Sequence, residues 1–313
     1  MDIASICLLG GTGFVGRAIA DHATDRGIRV RVLTRSLPRA RPLTVLPTVE
    51  PMVGDPSDEK ALEKAFEGMD AVVNLVGILH EGGGEDFTAV HADLPRKVAQ
   101  ACRTGGVQHL VHVSALGASE KGPSRYLRSK AAGEAAVRLG SNEVPWTILR
   151  PSVIFGERDR FLNLFADLAR LFPVIPLAKA GARFQPIWVE DVARCCMAAL
   201  GNSAAYGQAY DLCGPRVYTL EELVRLVAST LGLRRTVVAL PEALGKLQAL
   251  VLELLPGKLM TRDNLLSMSV DNVCSGRPPA ICSFEPASVE AVIPQYMGPQ
   301  SIGARYARYR AER

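Results

Sequence analysis

The sequence predicts an α/β protein, a doubly wound parallel sheet joined to a smaller, mixed, helix-rich C-terminal lobe. Up to Pro151, short apolar runs alternate with segments of helical period, the pattern of strands linked by crossover helices. The first run passes straight into a helix through a glycine turn, "LLGGTGFVGR" at 8–17. After Pro151 the alternation breaks, and the proline-punctuated "LFPVIPLAKAGARFQPIWV" begins a different kind of structure.

Residues 3–9 form a buried apolar strand, and 14–26 show helical periodicity stopped by Gly27. Strand "RVRVLTR" (29–35), a helix near 58–67, strand "AVVNLVG" (71–77) and a helix near 88–104 follow. "HLVHVSA" (109–115), a helix over 124–139 and "WTILRP" (146–151) complete a nucleotide-binding domain of residues 1–155. The lobe, 156–313, contains helices at 160–171, 190–200 and 219–231, with 186–214 expected to return to the sheet. Its longest apolar stretch, 244–259, is interrupted by Lys246, Gln248 and Glu253 and reads as a helix with a broad apolar face.

With 48% hydrophobic and 22% charged residues and a mean hydropathy of +0.13, the chain is globular and not disordered. A net charge of +4, dispersed and without a basic run interleaved with aromatics, argues against a nucleic-acid partner. No window reaches the ~18 apolar residues that span a bilayer, and the N-terminus has neither a signal nor a transit pattern. The seven cysteines, at 7, 102, 195, 196, 213, 274 and 282, include no C-x-x-C pair. They read as buried or idle thiols of a cytoplasmic protein. His80, His109 and His112 have no metal-ligand arrangement.

Gly10, Gly13 and Gly16 follow a strand and open a helix. In that context, glycines leave room for a pyrophosphate, whose charge meets the positive end of the helix. The domain is therefore expected to be of Rossmann type, with Thr12, Phe14 and Arg17 beside the cofactor. NAD-binding turns commonly end the second strand in a carboxylate, whereas this chain reads Thr34-Arg35-Ser36. Arg35, with Arg17 and Arg39 or Arg41, matches a 2′-phosphate, because a guanidinium fork suits that oxyanion. NADP(H) is thus expected over NAD(H). Asp55 either accepts a bond from the adenine amino group or caps a helix. Asn74 and Gly77 end the fourth strand beneath the pyrophosphate and nicotinamide ribose, with Asn74 also suited to satisfying a turn. Asp191 is expected to cap helix 192–200, and Asp159 either lines the cleft or ties helix 160–171 to the core.

Tyr126 and Lys130 lie one helical turn apart and share a face. Bringing a tyrosine from ~10 towards neutrality takes about 4 kcal/mol, which one ammonium supplies only at ~4 Å with an effective dielectric near 20.

With its glycine turn, Tyr126 and Lys130, and "RPS" at 150–152, the chain resembles the extended and atypical short-chain dehydrogenases/reductases over nearly its whole length. "HVSALGAS", "SRYLRSKAAGEAA", "ILRPSVIFGERDRFLNLFA", "FQPIWVEDVA" and "DLCGP" are similar to the branch typified by the dehydrogenase-like accessory subunit of respiratory complex I. That resemblance implies bound NADPH, with Pro151 near the nicotinamide amide. It also implies an accessory or assembly role at a membrane-associated quinone-reducing complex, peripheral to the inner membrane. In the active enzymes a catalytic Ser or Thr follows the serine that ends the fifth strand, but Ala115 follows Ser114 here. His91 stands where they carry a supporting Asn. Ser114, Ser119 or Ser124 are the hydroxyls left to assist Tyr126 and Lys130 in an NADP-dependent oxidoreductase or epimerase. Its substrate would be a quinone precursor or another hydrophobic small-molecule carbonyl, a nucleotide sugar fitting the shortened 115–126 loop less well.

Overall fold

The structure, a computed structural model, describes residues 2–140, 144–254, 260–276 and 279–298. The chain begins with β1 (Ser5–Leu9), α1 (Phe14–Asp25), β2 (Arg29–Thr34), a short α2 (Leu37–Ala40), β3 (Val49–Val53), α3 (Glu59–Phe66) and β4 (Ala71–Asn74). It continues through α4 (Leu94–Thr104), β5 (His109–Val113), α5 (Arg125–Gly140) and β6 (Trp146–Pro151). Next come β7 (Ile154–Phe155), α6 (Leu162–Leu171), β8 (Val174–Leu177), β9 (Arg183–Phe184), β10 (Ile187–Trp188), α7 (Val189–Ala199) and β11 (Gln208–Leu212). The last elements are β12 (Tyr218–Thr219), α8 (Leu220–Thr230), β13 (Thr236–Ala239), α9 (Glu242–Leu254), α10 (Arg262–Ser267) and α11 (Val289–Met297).

These elements form two units. The first comprises the chain up to Pro151, Val189–Leu212 and a short stretch ending at Phe284. It holds a seven-stranded, wholly parallel sheet in the order β11-β6-β5-β4-β1-β2-β3. The chain winds outward through β2 and β3, then returns to the other side of β1 with β4. This reversal places the topological switch point between β1 and β4, where parallel sheets of this type bind ligands.

Strand side chains alternate between faces. Cys7, Leu9, Val72, Leu110 and Ile148 pack with Leu62 and Phe66 of α3, Val98 and Cys102 of α4, and Val137 of α5. Their neighbours Ile6, Leu8, Val73, Val111 and Leu149 face the opposite side, where α1 and α7 pack together. Strands covered on both faces read as continuous apolar runs, which is why the sheet was visible in the sequence. The Asp58 side chain caps α3 by accepting from the Lys60 N–H at 3.0 Å.

The second unit packs α6, α8 and α11 around Phe155, Leu162, Phe165, Leu223, Val227 and Ile293. Its strands are short pairs, β10 with β7, β12 with β9 and β13 with β8. Asp159 is buried and accepts backbone N–H groups from Gly156, Phe161 and Leu162 at 3.0, 2.7 and 2.6 Å. It ties the loop to the start of α6.

Two expectations need correction. Four of the seven cysteines are paired, Cys195 with Cys282 and Cys213 with Cys274, leaving Cys7, Cys102 and Cys196 as buried thiols. Partners 87 and 61 residues apart are joined by the fold and carry no local spacing signal. Cysteine usage therefore no longer argues for a reducing compartment. Asp191 is not a cap: α7 starts at Val189, so Asp191 lies within the first turn, fully buried, with Arg194 at 3.4 Å. The helix expected over 244–259 is α9, whose described part ends at Leu254. Residues 255–259 lie outside the described residues. No helix among the described residues is long and apolar enough to cross a membrane.

Candidate cofactor site

The glycine turn sits at the switch point, and each glycine solves a different spacing problem. Gly10 has φ +79°, and a side chain there would strike the Leu75 carbonyl carbon at 3.2 Å. Gly16 lets α1 close onto the turn, because a Cβ would meet the Gly11 Cα at 2.4 Å. Gly13 occupies the N-cap of α1 with no side-chain cap. The first turn carries no acidic residue, so the positive end of the helix is left for an anion. Phe14 is the first residue of α1, half-buried. Arg17 Nε donates to the Thr12 carbonyl at 3.1 Å, fastening the helix to the turn.

On the β4 side, Asn74 is fully buried, its Oδ1 accepting from the Val76 N–H at 3.1 Å and its Nδ2 facing His112 Nδ1 at 3.3 Å. It satisfies the turn into the site. Asp55 accepts the Ser57 N–H at 2.9 Å, a bond that holds its carboxyl below the usual range. Helix capping falls to Asp58. At the end of β2, Arg35 is exposed, and its Nη1 lies 2.7 Å from Glu85 Oε1.

Lys130 of α5 is buried, and Nζ donates to the Val113 carbonyl at the end of β5, 2.9 Å away. Burial lowers the ammonium to about 8, against the opposing pull of Glu134. Glu134 is itself buried, held by Arg150 through two bonds of 2.7 and 2.5 Å and by Arg138 at 3.1 Å. The Arg150 side chain thus serves β6–α5 packing, and Pro151 at the same strand end accepts the Leu116 N–H at 2.9 Å.

Tyr126 is half-buried, its ring edge-on to His91 and Phe87 with centroids 5.6 and 6.0 Å apart. Burial pushes its hydroxyl up to about 12. His91 projects from a π-helical turn over Ala89–Asp93. Its Nε2 accepts the Ile78 N–H at 3.0 Å, so the proton rests on Nδ1 and faces Ser129 Oγ at 2.8 Å. Ser129 in turn donates to the Tyr126 carbonyl at 2.8 Å. Burial, with Lys130 nearby, lowers this imidazole to about 3. His91 is consequently neutral throughout the physiological range, a rigid bridge between the β4 loop and α5. Gly133 allows that approach, since a Cβ would fall 2.0 Å from the His91 carbonyl oxygen.

Gly77 borders the same space: a Cβ there would lie 3.4 Å from His91 Nε2 and 3.7 Å from Lys130 Nζ. Ser114, one residue beyond the carbonyl that holds Lys130, is buried, and its hydroxyl has no hydrogen-bond partner among the described residues. A buried orphan hydroxyl is costly unless a ligand completes it. The uncapped α1 terminus, the glycine cradle, the buried ammonium and the unsatisfied Ser114 therefore fit a dinucleotide. The Ser129–His91 bridge, Gly133 and the Glu134–Arg150 pair could not be read from the sequence, because none forms a spaced motif.

Fold and turn define a Rossmann-type protein for a nicotinamide nucleotide. The chain belongs to the NAD(P)H-binding family, whose model matches residues 10–202, and within it to the atypical short-chain dehydrogenase/reductase-like proteins. It is similar to mitochondrial NADH dehydrogenase (ubiquinone) 1 alpha subcomplex subunit 9 of Mus musculus. The two are 36% identical over 226 residues, covering 70% of this chain and 59% of that protein. The chain thus spans about three-fifths of the length of that mitochondrial relative. A ceramide reductase of Caulobacter vibrioides is 32% identical over 243 residues, 76% of this chain and 74% of that one. Among solved structures, the triphenylmethane reductase of Citrobacter sp. superposes with a TM-score of 0.75 at 18% identity, over 94% of this chain and 99% of that one.

Proposed function

We propose that the first unit binds NADP(H) in preference to NAD(H). On this reading the chain acts as a cofactor-holding accessory or assembly protein for a membrane-associated quinone-reducing complex, peripheral to the inner membrane. The observation that carries it is the state of Tyr126. Its hydroxyl is raised to about 12 by burial, and the buried Ala115 stands where active relatives present a second hydroxyl. An acid that weak donates a proton poorly at neutral pH.

In this reading Gly10, Gly13 and Gly16 seat the pyrophosphate, Arg35 with Arg17 pairs with the 2′-phosphate, and Asp55 accepts from the adenine. Asn74, Gly77 and Pro151 shape the floor, and Lys130 donates to the ribose. The nicotinamide nucleotide, when bound, supplies a hydride. The similarity to a complex I subunit supports the accessory role.

A second reading is favoured by the orphan Ser114 hydroxyl and by the reductase relative: an NADP-dependent reductase of a hydrophobic carbonyl. Ser114 would hold the carbonyl oxygen while Tyr126 donates to it and Lys130 steadies the ribose. Oxidation of bound NADPH by quinones and long-chain carbonyl compounds, compared between wild type and Tyr126→Phe, separates the two. The accessory role predicts slow oxidation that is identical in both proteins, with NADPH affinity changed less than a few-fold. General-acid catalysis contributes ~10²–10⁴-fold, so a comparable Tyr126-dependent rate establishes the reductase instead.

A further inference from the structure

The end of β2 lacks the carboxylate that would hold a ribose 2′-hydroxyl, yet the fold brings one there from elsewhere. Glu85 reaches Arg35 from the loop after β4, Oε1 to Nη1, at 2.7 Å. The loop has a firm base and a glycine tip. At its base Glu81 takes both guanidinium nitrogens of Arg125 at 2.6 and 2.9 Å and accepts the Phe87 N–H at 3.1 Å. Phe87 is buried and stacks on His91 with centroids 5.4 Å apart. At the tip, Gly82, Gly83 and Gly84 have φ of 154°, 64° and 87°, and Gly82 and Glu85 exchange backbone bonds of 3.0 and 3.1 Å. Three consecutive glycines in a conformation closed to most residues let the tip re-form at little cost.

We propose that Glu85 is a specificity-determining residue, an intramolecular stand-in for the 2′-phosphate that occupies Arg35 and sets how strongly NADP(H) is preferred over NAD(H). This rests on the reading of Arg35 as the phosphate partner. A 2′-phosphate carries about −1.5 to −2 charges and outcompetes a carboxylate for the guanidinium. It must first displace Glu85, and the displaced carboxylate then repels it. A nucleotide with a bare 2′-hydroxyl leaves the pair intact. Glu85 therefore weakens NADPH binding specifically, by lowering the availability of Arg35.

The test is titration of NADPH and NADH, by fluorescence or calorimetry, into wild type, Glu85→Gln, Arg35→Ala and the double variant. Glu85 is half-buried on a glycine tip, and matched thermal melts establish that the variants are folded. Glu85→Ala provides a second truncation with no residual hydrogen bond. Glu85→Gln should tighten NADPH three- to tenfold, leave NADH within twofold, and lose its effect in the Arg35→Ala background. Equal changes for both nucleotides, no change for either, or an effect that persists without Arg35 overturns the proposal. If Arg35→Ala abolishes the preference while Glu85→Gln is inert, only this inference fails. If Arg35→Ala keeps the wild-type preference, the phosphate reading of Arg35 fails and this inference with it.

Discussion

Replacing Lys130 by Met should weaken NADPH binding strongly while leaving the folded protein nearly as stable as before. The two effects separate because the ammonium is buried without a carboxylate bonded to it. Its one bond is to the Val113 carbonyl, and burial lowers it from 10.5 to about 8. At ~1.4 kcal/mol per tenfold change in proton affinity, keeping this group charged in the fold costs roughly 3 kcal/mol. Met removes that cost and leaves the Val113 carbonyl short of a partner, a loss of about 1–3 kcal/mol. The net change in stability should stay within about 2 kcal/mol. Binding has no such compensation, since a charged donor to the ribose is worth about 1.5–3 kcal/mol, hence roughly tenfold or more in Kd. The sign with pH follows as well. The lysine is depressed in the fold, so the native state binds fewer protons than the unfolded chain between about 8 and 10.5. Stability therefore rises with pH across that window, whereas NADPH affinity falls as the ammonium deprotonates above about 8. Urea unfolding and nucleotide titration from pH 7 to 10, on wild type and Lys130→Met, measure both. The reasoning fails if the variant loses more than about 3 kcal/mol of stability while binding NADPH as tightly as wild type, or if it keeps the same pH dependence.

Three further outcomes can be measured. Gly133→Ala should lower stability by about 1–3 kcal/mol or more, because its Cβ falls 2.0 Å from the His91 carbonyl oxygen; Gly106→Ala, at an open glycine of positive φ, supplies the strain-only control in the same urea series. Cys195→Ser with Cys282→Ser should lower the melting temperature of the oxidised protein and leave that of the reduced protein unchanged. A loop of 87 residues corresponds to about 4.6 kcal/mol of unfolded-state entropy, of which disulfides typically deliver ~2–4. The wild-type protein should float with lipid vesicles in part, and less so with Leu247→Glu and Val251→Glu. Those two residues, with Leu244 and Leu250, are exposed on α9, and an apolar helix face is the feature that adsorbs to a bilayer surface.

The sheet and the glycine turn were legible because both are local. Strands buried on two faces declare themselves as apolar runs, and a glycine turn between a strand and a helix has few other uses. The placement of Tyr126 and Lys130 one turn apart on a helix was legible for a related reason, one helical turn being a fixed spacing. What the sequence does not display are pairings across large separations. The sequence shows Arg35 without an acidic neighbour, but Glu85 reaches it across 50 residues. Arg150 stands at a strand end suited to the cofactor, yet its guanidinium belongs to Glu134. Cysteines with no motif between them close loops of 87 and 61 residues.

Ala115 shows how far residue identity carries the chemistry. The missing hydroxyl was evident in the sequence and argues for an inert site. The structure adds an unsatisfied hydroxyl one residue earlier, on Ser114, and an imidazole at His91 that stays neutral near pH 7 and is bonded through both nitrogens. A neutral His91 bonded through both nitrogens ties the β4 loop to α5, so the reductase reading runs through Ser114, Tyr126 and Lys130. With Tyr126 raised to about 12, that route depends on charge arriving with the cofactor. Ser114→Ala accordingly distinguishes the roles. A hydroxyl that only completes its hydrogen bonds on a bound nucleotide should weaken NADPH binding when removed, whereas one that holds a substrate carbonyl should leave nucleotide affinity intact and lower turnover with the carbonyl that oxidises NADPH.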